Sequence, residues 1–164
     1  MIRRADENDI EAIGKMAETV FRQTYRTILS PEQLDYMMDW MYSPASLLRQ
    51  MRGESTVFFV DEGRGYASYR PDGFTDDGIQ RFHLEKLYVM PDCRNTGLGK
   101  ALFDTVAAAV REESEGGALL ELNVNRNNPS LGFYEHLGMR RARQGDFPIG
   151  NGFYMNDYIM AMDL

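Results

Sequence analysis

Apolar residues recur every three or four positions in the first third of the chain, which is the spacing of one face of an α-helix. Asp6 precedes the first of these stretches, and serine–proline pairs precede the next two, as is common where helices begin. The pattern predicts a first helix with the apolar face Ile10, Ile13, Ala17, Val20 and Phe21, a second that begins at Ser30-Pro31, and a third over 44–53.

Alternating apolar and polar positions dominate the rest of the chain and predict β-strands. A long helix over 97–115 and a short helix over 128–137 interrupt them. Segments 71–78 and 145–152 are predicted to be loops, because turn-forming residues are concentrated there. The predicted strands are 1–4, 56–60, 64–70, 81–89, 118–124 and two further strands near the end, the last of them 158–164.

Strands that alternate with helices predict an α/β fold, with a mixed sheet covered by helices on both faces. The 164 residues are expected to form a single domain, 1–164.

A net charge of −7 argues against a broad nucleic-acid-binding surface. The only cysteine is Cys93, so no internal disulfide is possible and a reducing, cytoplasmic compartment is favoured. No apolar run is long enough to predict a membrane span.

The segment 84–102 combines a strand, a short loop and the start of a helix, and it suits the binding of a phosphate group. The first amides of a helix have no intrahelical acceptor, and the helix dipole adds positive charge there. Gly97 and Gly99 allow a ligand to approach the backbone closely. The segment is not a P-loop, because Ala101 follows Lys100 where serine or threonine is required. It also lacks the third glycine of a dinucleotide-binding motif, since Leu102 stands there.

Two motifs in this chain resemble those of the GCN5-related N-acetyltransferases (GNAT). The first is Arg-x-x-Gly-x-Gly, at Arg94, Gly97 and Gly99. The second runs from Asn127 through Ser130 to the aromatic pair at 133–134 and then to Gly138-Met139. Both occur in the order and at the separation that the family shows. The resemblance implies a GNAT fold, in which a mixed, mostly antiparallel sheet is splayed after its fourth strand.

The resemblance also implies acetyl-CoA as the cosubstrate, with no metal ion. The backbone of Leu87, Tyr88 and Val89 is then expected to pair with the pantetheine arm, Asn127 to contact its amide, and Ser130 to pack closely against the coenzyme. A turn or helix-cap role for Asn127 is the structural alternative, and it is compatible with that contact. The pyrophosphate is expected on the loop formed by Arg94, Asn95, Thr96, Gly97, Leu98, Gly99 and Lys100.

Amine acetylation requires a base for the acceptor and an acid for the departing thiolate. Tyr134 matches the family tyrosine that hydrogen-bonds the coenzyme sulfur, so it is the predicted acid. Glu85 is the predicted base and His83 a relay to it, with His83 itself or water as the alternative base. The structural alternatives are an ion pair for Glu85 and a packed histidine for His83. Strand alternation predicts that His83, Glu85, Leu87 and Val89 share one face.

The predicted function is acetyl transfer to a primary amine of a small molecule, with a polyamine or diamine as the first choice. Acetylation of a protein or peptide amine and a non-catalytic acetyl-CoA sensor are the alternatives, and a homodimer is possible. Aromatic and methionine side chains in the first third form either a wall of the acceptor pocket or part of the core. These residues are Tyr25, Tyr36, Met37, Met38, Trp40, Met41 and Tyr42.

Overall fold

The computed structural model describes every residue from Met1 to Leu164. Seven strands form one sheet in the order β1-β2-β3-β4-β5-β7-β6. The strands are β1 (Arg3–Arg4), β2 (Val57–Asp61), β3 (Gly65–Phe74), β4 (Gln80–Val89), β5 (Ala118–Asn125), β6 (Arg140–Gly150) and β7 (Phe153–Asp163). The helices are α1 (Ile10–Tyr25), α2 (Pro31–Tyr42), α3 (Pro44–Gly53), α4 (Leu98–Glu113) and α5 (Leu131–His136).

The predicted starts of the N-terminal helices are close to those observed. The hydroxyls of Ser30 and Ser43 accept hydrogen bonds from amides in the first turns of α2 and α3, and a proline follows each serine. Asp6 instead caps a short 3-10 helix, Glu7–Asp9, and α1 begins after it. None of the helices is long and apolar enough to cross a membrane.

Two hydrophobic clusters hold the helices against opposite faces of the sheet. One cluster joins α1, α2 and α3 to residues of β2 and β3. The other joins α4 and α5 to β4, β5 and β7. Burying both faces of the sheet removes most of its apolar surface from water, which is the main favourable term in folding. The predicted α/β fold with helices on both faces is confirmed.

The C-terminal strands are longer than predicted, and the loop predicted over 145–152 is wrong. β6 and β7 pair along their whole length and are joined by only two residues, Asn151 (φ 54°) and Gly152 (φ 77°). Positive φ at both positions is the geometry of a type I′ turn, which suits the twist of paired strands. The loop predicted over 71–78 is also too long, since β3 continues to Phe74. β6 lies at an edge of the sheet, where the predicted homodimer would add a strand; the dimer stays a prediction.

Candidate active site

The sheet divides between β4 and β5 and leaves a cleft. These strands are the parallel pair in an otherwise antiparallel sheet, and they pair only from Gln80–Ala118 to His83–Glu121. Beyond His83 the strands diverge, which confirms the predicted splay after the fourth strand. The cleft is lined by Tyr25, Leu84, Glu85, Lys86, Leu87, Tyr88, Leu122, Asn123, Val124, Asn128, Ser130 and Tyr134.

The fork is the point after the His83–Glu121 pair at which β4 and β5 separate. A β-bulge in β4 reorients the residues at this fork. Ser68 of β3 pairs with Lys86 and the next residue, Tyr69, pairs with Leu84, so Glu85 is the extra residue. The side chains of Leu84 and Leu87 therefore contact the same hydrophobic cluster, although they are three positions apart. The predicted common face of His83, Glu85, Leu87 and Val89 is wrong, because the bulge interrupts the alternation between His83 and Leu87.

Past the fork, one edge of β4 has no neighbouring strand. β3 pairs with the other edge as far as Val89, whereas the pairing with β5 has ended at His83. The backbone groups of β4 that point toward β5 are therefore available to an extended ligand, which can bind there as an added strand. The predicted pantetheine-binding residues Leu87, Tyr88 and Val89 all lie on this part of β4.

The segment between β4 and α4 presents a row of free backbone amides. After a short 3-10 helix, Pro91–Cys93, the backbone is left-handed at Asn95 (φ 62°) and Gly97 (φ 84°), and α4 begins at Leu98. The amides from Asn95 to Lys100 donate no hydrogen bond within the protein. The last of them belong to the first turn of α4, where the helix dipole adds positive charge. Free amides at the start of a helix commonly bind anions in proteins, and the assignment of this loop to the pyrophosphate stays a prediction.

Of the two cationic side chains of this loop, Arg94 forms no ion pair and Lys100 is paired. Arg94 is exposed, and Lys100 is ion-paired with Asp104 at 2.6 Å between Nζ and Oδ2. The Thr96 hydroxyl donates to the Cys93 carbonyl oxygen at 2.5 Å, which ties the loop to the preceding turn. The side chain of Leu98 is buried in the core, so that residue offers only its amide. The loop therefore offers its backbone amides and the Arg94 guanidinium to an anion.

Gly99 brings the start of α4 close to the helix that carries Tyr134. A Cβ atom at Gly99 would lie 3.3 Å from Cζ of Phe133, a contact that few side chains tolerate. The Phe133 ring in turn packs edge-on against Tyr134, with 5.3 Å between the ring centroids. The anion-binding loop and the predicted acid thus lie on two helices whose packing depends on the absence of a side chain at Gly99.

Tyr134 is a buried tyrosine whose hydroxyl faces the cleft. The residue is 8% exposed and belongs to the cluster beneath α4, yet its hydroxyl makes no hydrogen bond within the protein. Burial raises the pKa of Tyr134, because the phenolate would be poorly solvated, and the hydroxyl therefore carries its proton at neutral pH. Such a group can donate a proton to a ligand atom in the cleft.

The structure brings Glu85 into the cleft with Tyr134 but places His83 outside it. Glu85 lines the cleft and is ion-paired with Arg70, whose guanidinium also lies 3.5 Å from Asp72. His83 lies in the closed part of the sheet, paired with Glu121 of β5. Burial lowers the pKa of His83, which favours the neutral imidazole. His83 pairs with Arg70 of β3 and is not among the residues that line the cleft.

The loop after β5 is shaped by asparagine side chains. Oδ1 of Asn125 accepts from the Asn127 amide, and Oδ1 of Asn128 accepts from the Ser130 amide, both at 2.9 Å. Asn127 is exposed and is not among the residues that line the cleft. Asn128 does line it, and its Nδ2 donates to the Tyr25 hydroxyl at 3.2 Å. The predicted contact of Asn127 with the coenzyme stays a prediction, whereas Asn128 is the asparagine that faces the cleft.

Most of the aromatic and methionine side chains that were considered for the acceptor pocket belong to the core. Met37, Met38 and Tyr42 are buried within the cluster beneath α1, and Trp40 is exposed on the outside of α2. Tyr25 is also buried, but it alone of this set lines the cleft. Helical periodicity does not distinguish a core role from a pocket role, because it places both kinds of residue on the same face of a helix.

Lys86 is a buried lysine of β4 next to the bulge, and neither sequence motif includes it. Its Nζ donates to Oε1 of Gln50 at 2.6 Å and lies over the rings of Tyr42 and Phe58, at 5.5 and 5.3 Å from their centroids. No carboxylate forms an ion pair with it. Burial lowers its pKa to about 8. The bulge turns this charged side chain toward the core, a placement that strand periodicity alone does not indicate.

The buried charge of Lys86 is expected to make stability rise with pH. At neutral pH, lysine is protonated in both the folded and the unfolded chain, and the folded state bears the full cost of burial. As the pH rises through about 8, only the folded state releases the proton, so that cost decreases. The free energy of unfolding of the wild type should gain about 1 kcal/mol relative to Lys86→Met between pH 7 and pH 9. Urea denaturation of both proteins measures this difference, and an unchanged difference would contradict it.

The family model described as the acetyltransferase (GNAT) family matches residues 17–139 of this chain. This range contains the forked strands, the amide-rich loop and Tyr134. No curated protein matches the chain.

Several solved structures share this fold at low sequence identity. PaiA N-acetyltransferase from Thermoplasma acidophilum, in complex with coenzyme A, has 19% identity and a TM-score of 0.72, over 100% of this chain and 98% of that one. Aminoglycoside 6′-acetyltransferase type Ii has 23% identity and a TM-score of 0.64, over 99% and 96%. NAA60 from Arabidopsis thaliana, in complex with a bisubstrate analogue, has 17% identity and a TM-score of 0.66, over 100% and 98%.

Proposed function

The chain belongs to the acetyltransferase (GNAT) family, and we propose that it acetylates a primary amine of a small molecule, with a diamine or polyamine as the first choice. It is an N-acetyltransferase with acetyl-CoA as its cosubstrate. The observation that carries the proposal is a protonated hydroxyl without a protein partner, on Tyr134, in the fork between β4 and β5.

The residues around the fork fit acetyl-CoA. The free edge of β4 at Leu87–Val89 suits the amides of the pantetheine arm, and the free amides from Asn95 to Lys100 suit the pyrophosphate. The bound thioester supplies an activated acyl carbon and a sulfur leaving group. Tyr134 then gives its phenolic proton to the departing sulfur. We assign direct attack by the amine, with both substrates bound together.

Glu85 is the proposed base for the acceptor amine. Glu85 lines the cleft, and Arg70 holds its carboxylate in place through an ion pair to Oε1. The remaining oxygen, Oε2, is left to take a proton from the amine directly or through a water molecule.

Replacing Glu85 with glutamine is expected to lower kcat about 10²-fold, the lower end of what general acid–base assistance contributes, because the base is lost while the shape is kept. Asp72→Asn is the matched control, since Asp72 is the other carboxylate beside Arg70 and does not line the cleft. The assay is steady-state release of free thiol from acetyl-CoA at saturating amine. Equal rates for Glu85→Gln and the wild type would remove Glu85 as the base.

The packing of the β6–β7 hairpin supports a small acceptor. The Tyr36 hydroxyl donates to the Ile149 carbonyl at 2.7 Å, and Gln33 Nε2 donates to the Tyr154 carbonyl at 2.8 Å. Ile149 and Met155 also pack against the cluster that contains Tyr25. The hairpin is thereby held against α2, beside the wall of the cleft that Tyr25 forms. A bounded cleft of this kind favours a small amine over an extended peptide.

The experiment that tests the proposal is thiol release from acetyl-CoA with a panel of amines, with product masses determined. The panel contains diamines and polyamines, aminoglycosides, amino acids and short peptides. Turnover with small amines alone supports the proposal. Turnover with peptides alone would establish a peptide acetyltransferase instead. Tight coenzyme A binding without turnover on any amine would favour a non-catalytic sensor.

A further inference from the structure

Asn123 is a polar residue at the fork that neither sequence motif includes. It follows Glu121 by two residues, and Glu121 pairs with His83 at the end of the β4–β5 contact. Asn123 therefore lies level with Glu85, across the fork. Asn123 and Tyr134 both line the cleft. This polar group thus stands beside the residues proposed to move protons during acetyl transfer.

The side-chain amide of Asn123 has a defined orientation. Its Nδ2 donates to Oδ2 of Asp157 at 3.2 Å. An ionised carboxylate only accepts hydrogen bonds, so the NH₂ group of the amide must face Asp157 and the carbonyl oxygen must point away from it. This oxygen accepts no hydrogen bond from the protein, and Asn123 is an exposed residue.

Asp157 is a buried carboxylate with little support apart from Asn123. The residue is 2% exposed, and its Oδ1 has no hydrogen-bond partner. The nearby guanidinium of Arg126 is bound instead to Asp146 and to the Gly145 carbonyl. Burial raises the pKa of Asp157, whereas the bond from Asn123 and the charge of Arg126 act in the opposite direction. Asp157 therefore acts on a ligand in the cleft only by way of the Asn123 amide.

We propose that the carbonyl oxygen of Asn123 binds the amino group of the acceptor and that Asp157 holds the Asn123 amide in the orientation that allows it. A neutral carbonyl oxygen accepts an N–H of the amine without stabilising the ammonium form as strongly as a carboxylate does. The nitrogen lone pair then stays free for attack. Asn123 is thus an acceptor-binding residue and Asp157 a positioning residue. The inference rests on the proposed function, because it concerns the acceptor of that reaction.

A double-mutant cycle tests this arrangement. Asn123→Ala is expected to lower kcat/KM for the amine about tenfold, mainly through KM, while the Kd of coenzyme A is unchanged. Asp157→Asn lets the Asn123 amide adopt either orientation and should cost about threefold. In the Asn123→Ala background, Asp157→Asn should have no further effect, because it acts only through Asn123. Asn123→Leu, which keeps the side-chain volume, should behave like Asn123→Ala.

Asn156→Ala is the matched control, since Asn156 is an exposed asparagine adjacent to Asp157. It should leave the KM for the amine unchanged. If Asn123→Ala and Asn123→Leu keep the wild-type KM for the amine, the inference is wrong and the proposed function stands. Additive losses in the double variant would overturn the positioning role of Asp157. Absence of turnover by the wild type with every amine would instead contradict the proposed function.

Discussion

Replacing Tyr134 with phenylalanine is expected to lower kcat by about 10²- to 10⁴-fold, the range that general acid–base assistance contributes. The physical reason is that the hydroxyl is protonated, faces the cleft and has no competing partner within the protein. Phenylalanine keeps the ring that packs against Phe133, so the fold and the amide-rich loop should be preserved. The Kd of coenzyme A should therefore stay within about twofold of the wild type.

Single-turnover and steady-state thiol release measure the effect on chemistry, and calorimetry measures coenzyme binding. Tyr69→Phe is the matched control, because Tyr69 belongs to the same hydrophobic cluster and its hydroxyl donates to Glu113 Oε2 at 3.0 Å, away from the cleft. It should retain wild-type turnover. A Tyr134→Phe protein with unchanged kcat would assign the acid to water or to another residue.

Replacing Gly97 with aspartate is expected to weaken coenzyme A binding by about 100-fold, through ~3 kcal/mol of charge repulsion. The new carboxylate would enter a loop whose amides from Asn95 to Lys100 are free and where the dipole of α4 favours anions. An added Cβ at Gly97 has no heavy atom within 4 Å, so crowding within the protein does not explain the loss.

Gly97→Asn separates the charge from the backbone effect. Asparagine has nearly the same shape as aspartate and, like it, tolerates the left-handed conformation that Gly97 adopts with φ 84°. Its affinity for coenzyme A should lie close to that of the wild type. Repeating the titrations at high salt should reduce the difference between the two variants, since salt screens exposed charges. Equal affinities for the aspartate and asparagine variants would contradict the assignment of this loop to the pyrophosphate.

The family and the fold class could be predicted from the sequence, and so could the position of the loop whose amides are free. Helix starts at Ser30 and Ser43 depend on a side chain and an amide only a few residues apart, so they are visible locally. The loop over 145–152 was predicted wrongly because its glycines and proline outweighed the Asn151-Gly152 pair, which is the actual turn. Pairing of β6 with β7 overrides the local preference of those residues.

The sequence alone determined that an amide-rich loop follows the fourth strand and that Tyr134 follows the fifth strand in the family motif. Both features arise within short segments, where backbone conformation and spacing decide the chemistry. Only the tertiary structure decided which side of β4 its residues occupy, because the bulge at Glu85 exists through pairing with β3. It also decided that Asn123 meets Asp157, 34 positions away, at the fork. Contacts between strands distant in sequence depend on the packing of the whole sheet, and no local pattern encodes them.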